Sequence, residues 1–349
     1  MATATSTGDG GATTRRLTPA DLDQVVAIDE AIVGRSRRGY FERRLSAALR
    51  DPEMHVQFAV RHDGGDPQTP CGGVLAGYVL ARRLAGEFGR VEPALRLEVI
   101  GVRPEEQGRG LGDVLLGAIE RWARDHDIRE IRTQASWRDH AMLRFFGHAG
   151  MELASNQVLA ADVDAGKRVL DSAAEEREPE DPSAGREIDY GAPPADDFEA
   201  LARDRVEVSL LRQVDAGEVA RIDRRLTGRD RTGYIERAVK EALEGAAVRV
   251  SLIARRGGIC VGFVMAKTDL GDFGRTEPVA VIDTIGVDPA FAKHGVGTAL
   301  LSQLFVNLSA LQVERVETVV ARENFALLRF LYRIGFGPSR RIGFVKRLG

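Results

Sequence analysis

The chain repeats itself, and this internal repeat limits its fold more than any other feature. Residues 35–45 align with residues 229–239 and are identical at six of eleven positions. Residues 87–93 align with residues 272–278, so the offset falls from 194 to 185 between the two landmarks. We place the difference in the loop 61–73, which shortens to residues 255–258 in the second copy. A period of this length indicates two copies of a whole domain rather than the units of a solenoid.

Each copy is predicted to contain the same order of elements. Two helices precede two strands, a third strand leads through a glycine-rich turn into a helix, and a strand, a short helix and a closing strand follow. Strands that alternate with helices predict an α/β fold with a mixed sheet. The expected organisation is a disordered N-terminus at 1–14, a first domain at 15–165, an acidic linker with proline and glycine at 166–202 and a second domain at 203–349.

The glycine-rich turn of the first copy has the features of an anion site. Residues 95–102 alternate as a strand does, Pro104 stops them, and apolar residues recur at helical spacing from Leu111 onward. The glycines therefore lie at a helix N-terminus, where backbone N–H groups lack internal partners and the helix dipole is positive. Because glycine has no Cβ to block an approaching ligand, the turn is predicted to hold a pyrophosphate.

Composition excludes several classes of function. The 49 basic and 52 acidic residues give a net charge of −3, so no overall basic field favours nucleic acid. The longest apolar runs are too short to span a bilayer, and residues 1–16 lack the apolar core of a secretion signal. The two cysteines fall at unequal points of the repeat, and the six histidines show no metal-ligand spacing. We expect a cytoplasmic protein without a disulfide framework, a metal, or nucleic-acid and membrane partners.

The strand, the Gln/Arg-x-x-Gly-x-Gly/Ala turn and a downstream Gly-Phe together resemble the Gcn5-related N-acetyltransferase (GNAT) superfamily. In both copies the second landmark, Gly150-Met151 or Gly335-Phe336, follows the turn by 40 residues. The resemblance covers nearly the whole chain and implies two tandem GNAT domains, paired as an intramolecular pseudo-dimer, with a homodimer left open. It implies acetyl-CoA as co-substrate and direct attack by a primary amine of a small molecule or peptide in a ternary complex.

The resemblance assigns the coenzyme pyrophosphate to the turn and the pantetheine arm to the space between the turn's strand and the next parallel strand. The first copy matches the pattern in full, with the candidate coenzyme-binding residues Ile100, Val102, Gln107, Gly108, Arg109, Gly110, Leu111 and Gly112. The second copy offers Val287, Lys293, His294, Gly295, Val296, Gly297 and Asn324. It has Ala292 where Gln or Arg is expected and Lys293 where the first copy has glycine. We expect the first copy to hold the better preserved site, and both weakened binding and no binding stay open for the second.

In the family a carboxylate on the strand before the turn usually accepts the proton of the amine, which identifies Glu98 and Asp283 as candidate catalytic bases. On a regular strand, Glu98 shares a face with Ile100 and Val102. Apolar surroundings would raise the pKa of the carboxyl group toward the range of a general base. The alternative is a structural carboxylate paired with an arginine: Arg96, Arg90 or Arg275.

The family's usual general acid, a tyrosine near the end of the short helix, is missing from both copies. Phe146 and Leu331 occupy its place, and Tyr332 is displaced by one position, about 100° around a helix. A non-catalytic acyl-CoA-binding or regulatory protein is therefore the alternative function. The repeated tyrosines, Tyr40 and Tyr234, lie where acceptors often bind in this family, although packing is the alternative for both.

Overall fold

The computed structural model describes residues 6–8, 12–62, 74–84, 92–175, 206–244, 250–269 and 279–349. Within these ranges the chain forms nine α-helices and fifteen strands. Outside the described residues lie the aligned segments 87–93 (except residues 92 and 93) and 272–278, most of the loop 61–73 and the later part of the predicted linker.

The first half of the chain contains the following elements. They are β1 Ser6–Gly8, β2 Ala12–Arg16, α1 Leu22–Val33, α2 Arg38–Arg50, β3 His55–His62, β4 Gly77–Leu84, β5 Ala94–Val102, α3 Leu111–Asp125, β6 Glu130–Ser136, α4 His140–His148, β7 Glu152–Leu153, β8 Asn156–Asp162 and α5 Val163–Glu175. Short 3-10 helices at Pro19–Asp21 and Pro104–Glu106 precede α1 and the glycine-rich turn.

The second half repeats this order. Its elements are β9 Glu207–Leu210, α6 Ala216–Thr227, α7 Thr232–Glu244, β10 Leu252–Arg256, β11 Ile259–Asp269, β12 Val279–Val287, α8 Val296–Ala310, β13 Arg315–Ala321, α9 Phe325–Arg333, β14 Gly337–Pro338 and β15 Arg341–Arg347. The corresponding 3-10 helices are Gln213–Asp215 and Pro289–Phe291. The prediction of an α/β fold with the same elements in each copy is confirmed.

The described strands form two mixed sheets, each in its own compact unit. The first unit comprises the described residues within 1–157 and 340–349, and its sheet has the order β1-β2-β3-β4-β5-β6-β15-β7. The second unit comprises residues 158–269 and 279–339, and its sheet has the order β14-β8-β13-β12-β11-β10-β9. In the first unit, one apolar core lies between the sheet and α3, and a second lies between the sheet and the helices α1 and α2.

The closing strands are exchanged between the two copies. Strand β15, from the end of the chain, pairs antiparallel with β6 over seven residues and also pairs with β7. Strand β8, from the first copy, lies beside β13 in the sheet of the second unit. Each closing strand therefore joins the sheet of the other copy. The repeat fixes which elements exist, but two similar sheets offer similar edges, so alignment alone does not say which edge each closing strand joins.

Two segments predicted to lack regular structure contain it. Residues 12–14 of the predicted disordered N-terminus belong to β2, which pairs with β3 and buries Ala12 and Thr14. Residues 166–175 of the predicted linker belong to α5, whose N-terminus is capped by Asp162, since the carboxylate accepts the N–H of Ala165 at 2.8 Å. Helix α5 packs on α8 so closely that a Cβ on Gly166 would lie 2.5 Å from the ring of Phe305.

The repeated segment 35–45 is explained by a buried ion pair in each unit. Arg37, just before α2, donates to Asp29 of α1 from Nε at 2.8 Å, and Tyr78 donates to the same carboxylate at 2.8 Å. Burial, followed by the charge of Asp29, raises the pKa of Tyr78 well above its ordinary value, so the phenol stays a neutral donor. Asp223 and Arg231 form the same pair in the second unit. These pairs fix the connection between the first two helices of each copy.

Candidate coenzyme and acceptor sites

Each sheet contains one pair of parallel strands that separates part-way along its length. In the first unit, β5 and β6 pair only at Leu95 with Ile131 and at Arg96 with Arg132. In the second unit, β12 and β13 pair from Val279 to Ile282. A threonine hydroxyl closes each ladder, since Thr133 donates to the carbonyl of Leu97 at 3.0 Å and Thr318 donates to that of Ile282 at 3.1 Å. Beyond these points no pairing joins the two strands of either pair, and the gap between them is termed the cleft.

The glycine-rich turn has the same backbone conformation in both units. Gly108 and Gly110 have φ of +79° and +77°, and Lys293 and Gly295 have φ of +69° and +76°. Lys293 thus adopts a left-handed conformation that costs a non-glycine residue about 1 kcal/mol or more. A Cβ on Gly108, Gly110 or Gly295 would meet no described atom within 4 Å. The replacement of Gly108 by Lys293 therefore leaves the turn intact and the space in front of it open.

The third glycine of each turn serves helix packing. A Cβ on Gly112 would lie 2.8 Å from the ring of Phe145 in α4, and a Cβ on Gly297 would lie 3.0 Å from the ring of Phe330 in α9. The packing of the neighbouring helix α4 therefore already requires glycine at position 112, and a role of Gly112 at the anion site stays a prediction. The adjacent Leu111 and Val296 are buried in the apolar cores of their units.

The two turns differ in their charges. In the first unit, Arg109 forms an ion pair with Glu106 at 2.9 Å, and Gln107 donates to the carbonyl of Val102 at 3.1 Å. In the second unit, Lys293 and His294 are exposed, and the His294 ring contacts the carbonyl of Ala292 through Nδ1 at 2.9 Å. The second turn contains no carboxylate between residues 289 and 295, whereas the first contains two.

A buried carboxylate stands directly before the second turn. Asp288 is paired with Arg221 and Arg225, each at 2.8 Å. Burial opposes ionisation of Asp288, but the hydrogen bonds from Arg221, the backbone N–H of Ala290 and Arg225 together lower its pKa below the ordinary value. Because this charge is balanced by two arginines, it does not make the second turn less favourable to an anion than the first.

Both candidate bases occupy β-bulges at the point where the parallel strands separate. Strand β4 pairs Leu80 with Val99 and Ala81 with Leu97, so Glu98 is the extra residue of β5. Strand β11 pairs Met265 with Thr284 and Ala266 with Ile282, so Asp283 is the extra residue of β12. A bulge re-aims a side chain and leaves a backbone group without a ladder partner, which is a common arrangement beside active sites.

The bulge corrects the predicted orientation of Glu98. Ile100 and Val102 pack against the core beneath α3, whereas Val99 belongs to the core beneath α1 and α2. Glu98 faces the same way as Val99, because its carboxylate binds Arg44 of α2 at 3.0 Å. The expectation that Glu98 shares a face with Ile100 and Val102 is therefore wrong, since the extra residue shifts the alternation of the strand by one.

The environments of the two carboxylates differ. Only 3% of the Glu98 side chain is exposed, and Arg44 is an ion-pair partner of its carboxylate. The repeat places Ala238 where the first copy has Arg44, and Asp283 instead pairs with Lys267 of β11 at 3.0 Å, with 26% of its side chain exposed. The sequence did not indicate either partner. The alignment shows only that the two copies differ at both places, with Ala238 at the position of Arg44 and Arg82 at the position of Lys267. Arg90 and Arg275, two of the proposed partners of Glu98, lie outside the described residues.

The remaining predicted residues are built into the fold. Phe146 is fully buried against Phe145 and Phe344, and Leu331 is buried at the equivalent position. Asn324 caps α9 by accepting the N–H of Leu327 at 3.2 Å. Neither Phe146 nor Leu331 can donate a proton, so both side chains contribute to the apolar core and not to acid catalysis.

The repeated tyrosines pack beside arginines. Tyr40 is buried, and the guanidinium groups of Arg37 and Arg44 each lie 5.3 Å from its ring centroid. Tyr234 is half-buried, with the guanidinium of Arg231 at 4.8 Å. Cation–π contacts of this kind stabilise the region around the candidate bases. An acceptor-binding role of Tyr40 and Tyr234 stays a prediction.

Substitution of Arg44 by methionine is expected to destabilise the protein by about 3 kcal/mol, because it removes an arginine that binds the buried Glu98 carboxylate. The measurement is urea-induced unfolding followed by circular dichroism. Arg43→Met changes an exposed neighbour in the same helix and should cost less than about 0.5 kcal/mol. The double variant Arg44→Met with Glu98→Gln should recover much of the lost stability. If Arg44→Met is as stable as the parent, the ion pair does not stabilise the fold.

A family model now accounts for both copies. The description "Acetyltransferase (GNAT) family" matches residues 28–151 and again residues 221–336. The chain belongs to the GNAT acetyltransferase family. Both matches include the bulged strand, the turn and the helix that follows it. A search of curated proteins finds no match.

Solved structures show the same fold at low sequence identity. A tandem GNAT protein from the clavulanic acid biosynthesis pathway is 18% identical, with a TM-score of 0.61 over 97% of this chain and 99% of that chain. A GCN5-related N-acetyltransferase from Sphaerobacter thermophilus is 17% identical, with a TM-score of 0.55 over 98% of this chain and 97% of that one. At such identities the comparison establishes the tandem fold and leaves the substrate undetermined.

The described residues contain neither a membrane-spanning helix nor a metal-binding cluster. None of their helices is long and apolar enough to cross a bilayer. They contain no group of three histidine, cysteine, aspartate or glutamate side chains placed to hold a metal ion. Cys260 is a free thiol whose pKa burial raises to about 11, so it is protonated and unreactive at neutral pH.

Proposed function

We propose that this GNAT protein is an acetyl-CoA-dependent N-acetyltransferase that acts on a primary amine of a small molecule or peptide. The observation that carries the proposal is the bulge at the mouth of each cleft. There a carboxylate, a stretch of strand that has lost its parallel neighbour and a turn at a helix N-terminus occur together within one strand–turn–helix segment. Such a segment can align a thioester, an amine and a base, which is the main requirement of direct acyl transfer.

In this mechanism, the backbone N–H groups around Gly108 and Gly110 bind the pyrophosphate of acetyl-CoA, and the backbone of Ile100 and Val102, where β5 no longer pairs with β6, binds the pantetheine arm. Acetyl-CoA supplies the activated acyl group. A main-chain N–H near the bulge polarises the thioester carbonyl. The carboxylate at the bulge, Glu98 or Asp283, accepts the proton of the attacking amine directly or through water. With Phe146 and Leu331 at the place of the family's tyrosine, water protonates the departing thiolate.

The proposal includes unequal roles for the two units. The first turn has the complete motif from Gln107 to Gly112, so we propose that it is the better preserved coenzyme site. The second turn keeps the same backbone conformation and an exposed lysine, which supports weaker binding rather than none. The two units then act as an intramolecular pair.

The test measures binding and turnover in the same sample. Calorimetric titration with acetyl-CoA is expected to show binding, and a panel of primary amines is expected to include one that releases free CoA, detected with a thiol reagent. The buried Phe146 favours a second function, a non-catalytic acyl-CoA-binding protein. Binding without amine-dependent CoA release across the panel would support that second function. Absence of any acetyl-CoA binding would contradict both.

A further inference from the structure

A lysine of the second unit forms an ion pair with the candidate base of that unit. Lys267 lies on β11 directly beside the bulge, since its neighbour Ala266 pairs with Ile282, the residue before Asp283. The ε-ammonium group lies 3.0 Å from the Asp283 carboxylate, and 24% of the Lys267 side chain is exposed. The last parallel pair of β12 and β13 is also formed by Ile282, so Asp283, which binds the amine, directly follows the point where the parallel strands separate.

The identity of this residue is unusual for the chain. Of 49 basic residues only five are lysines, at positions 167, 240, 267, 293 and 346. The repeat places Arg82 where the second copy has Lys267. A guanidinium keeps its proton under all ordinary conditions, whereas a lysine amine that loses its proton is a nucleophile. The second unit therefore has a reactive amine where the first unit has an inert cation.

We propose that Lys267 is a site of self-acetylation by acetyl-CoA bound to the second unit. The proposal rests on the proposed function, because it uses the same thioester and the same bulge. Asp283 accepts a proton from the ε-ammonium group, and the neutral nitrogen attacks the thioester carbonyl. A carbon–nitrogen bond forms, the carbon–sulfur bond breaks, and the second proton of the nitrogen passes through water to the departing CoA thiolate. The product is Nε-acetyl-lysine and free CoA.

The modification changes the charge at the mouth of the cleft. Acetylation removes the positive charge of Lys267 and so removes the ion pair with Asp283. The amide is stable, so each chain reacts once at this position. Because Asp283 is partly exposed, water can solvate the carboxylate that loses its partner. Modified chains would carry an unpaired negative charge where unmodified chains have a neutral pair, which regulates the affinity of this site for a cationic acceptor.

The experiment incubates the full-length protein with acetyl-CoA and maps acetyl groups by mass spectrometry after trypsin digestion. Acetylation blocks cleavage after Lys267, so the modified chain yields the peptide 257–275 with one acetyl group in place of the peptide 257–267. We expect modification at Lys267 to approach one acetyl group per chain. Lys240, exposed on α7, reports non-enzymatic acetylation in the same digest and should stay largely unmodified.

Three variants separate the proposal from simple chemical reactivity. Lys267→Arg, which copies the residue of the first unit, should abolish the modification. Asp283→Asn should slow it by about 100-fold, because a general base contributes a factor of this order. Gly295→Val should slow it to the same extent by preventing coenzyme binding at the second turn. Equal labelling of Lys267 in the Asp283→Asn variant and the parent would overturn the proposal.

The possible failures are distinguishable. If calorimetry shows acetyl-CoA binding and Lys267 stays unmodified, self-acetylation is excluded while the proposed function stands. If Lys267 and Lys240 are labelled at the same rate, the reaction is chemical and the proposal is overturned. If acetyl-CoA does not bind, both the proposed function and self-acetylation are excluded. Circular dichroism of each variant verifies that an unmodified Lys267 does not result from unfolding.

Discussion

A chain that ends at Ser339 is expected to lose the fold of the first unit, although the deleted residues belong to the second copy. The deletion removes β15, which pairs with β6 over seven residues and with β7 on its other side. It also removes the buried side chains of Phe344, Val345 and Leu348. Burial of three such side chains stabilises a fold by about 5–9 kcal/mol, comparable with the total stability of a domain.

Hydrogen exchange followed by mass spectrometry measures this effect unit by unit. In the truncated chain, β3 to β6 are expected to lose protection, while β10 to β13 of the second unit keep much of theirs. A chain carrying only Lys346→Ala serves as control, because that side chain is partly exposed and its loss removes a single ion pair with Glu120. Retention of full protection in β6 after truncation would show that β15 is dispensable.

The same exchange of strands predicts the behaviour of separate domains. A fragment of residues 15–165, the first domain as predicted from the sequence, lacks β15 and carries β8, which belongs to the other sheet. Such a fragment exposes the edge of β6 and an unpaired strand, a combination that favours aggregation. The full chain is therefore the appropriate material for every binding and activity measurement.

The sequence predicted the elements better than their connections. Apolar periodicity, the repeat and the turn residues located α3, α8 and the strands before them, because these signals are local. The destination of β8 and β15 depends on a choice between two similar sheet edges. The capping residue Asp162 was a local signal for α5, but the acidic composition that follows it concealed the helix.

At the candidate site, too, local positions were predicted better than tertiary contacts. The positions of Glu98 and Asp283 on the strand before the turn followed from the resemblance, whereas the face of the sheet on which Glu98 lies did not, because one extra residue leaves no mark in an apolar pattern. The bulge reverses the face of Glu98 and brings it to Arg44 of α2, which is distant in sequence. Partners of buried charges depend on tertiary packing, and a single sequence with no alignment gives no access to them.

A second large effect is expected from Gly110→Val, which should weaken acetyl-CoA binding to the first unit by at least about 100-fold. Gly110 has φ of +77°, a conformation that a β-branched residue adopts only at a cost of about 1–2 kcal/mol or more. The new side chain would also occupy the open space in front of the helix N-terminus, where the pyrophosphate has to approach the backbone donors. Isothermal titration calorimetry reports the affinity and the number of sites.

Gly150→Val provides the matched control for this strain. Gly150 has φ of +74° and equally open surroundings, but it follows α4 instead of opening α3. The control should lose comparable stability and keep the affinity of the parent for acetyl-CoA. An equal loss of affinity in both variants would assign the effect to destabilisation rather than to the turn.

Gly295→Val applies the same change to the second turn and ranks the two sites. If the first unit holds the better preserved site, Gly110→Val removes the tighter binding event and Gly295→Val removes the weaker one. Because Lys293 keeps the left-handed conformation of Gly108 and the second turn carries no carboxylate, we expect the weaker event to be measurable. Loss of the tighter event in Gly295→Val would reverse the ranking. The complete motif of the first copy would then matter less for affinity than the favourable charge of the second turn.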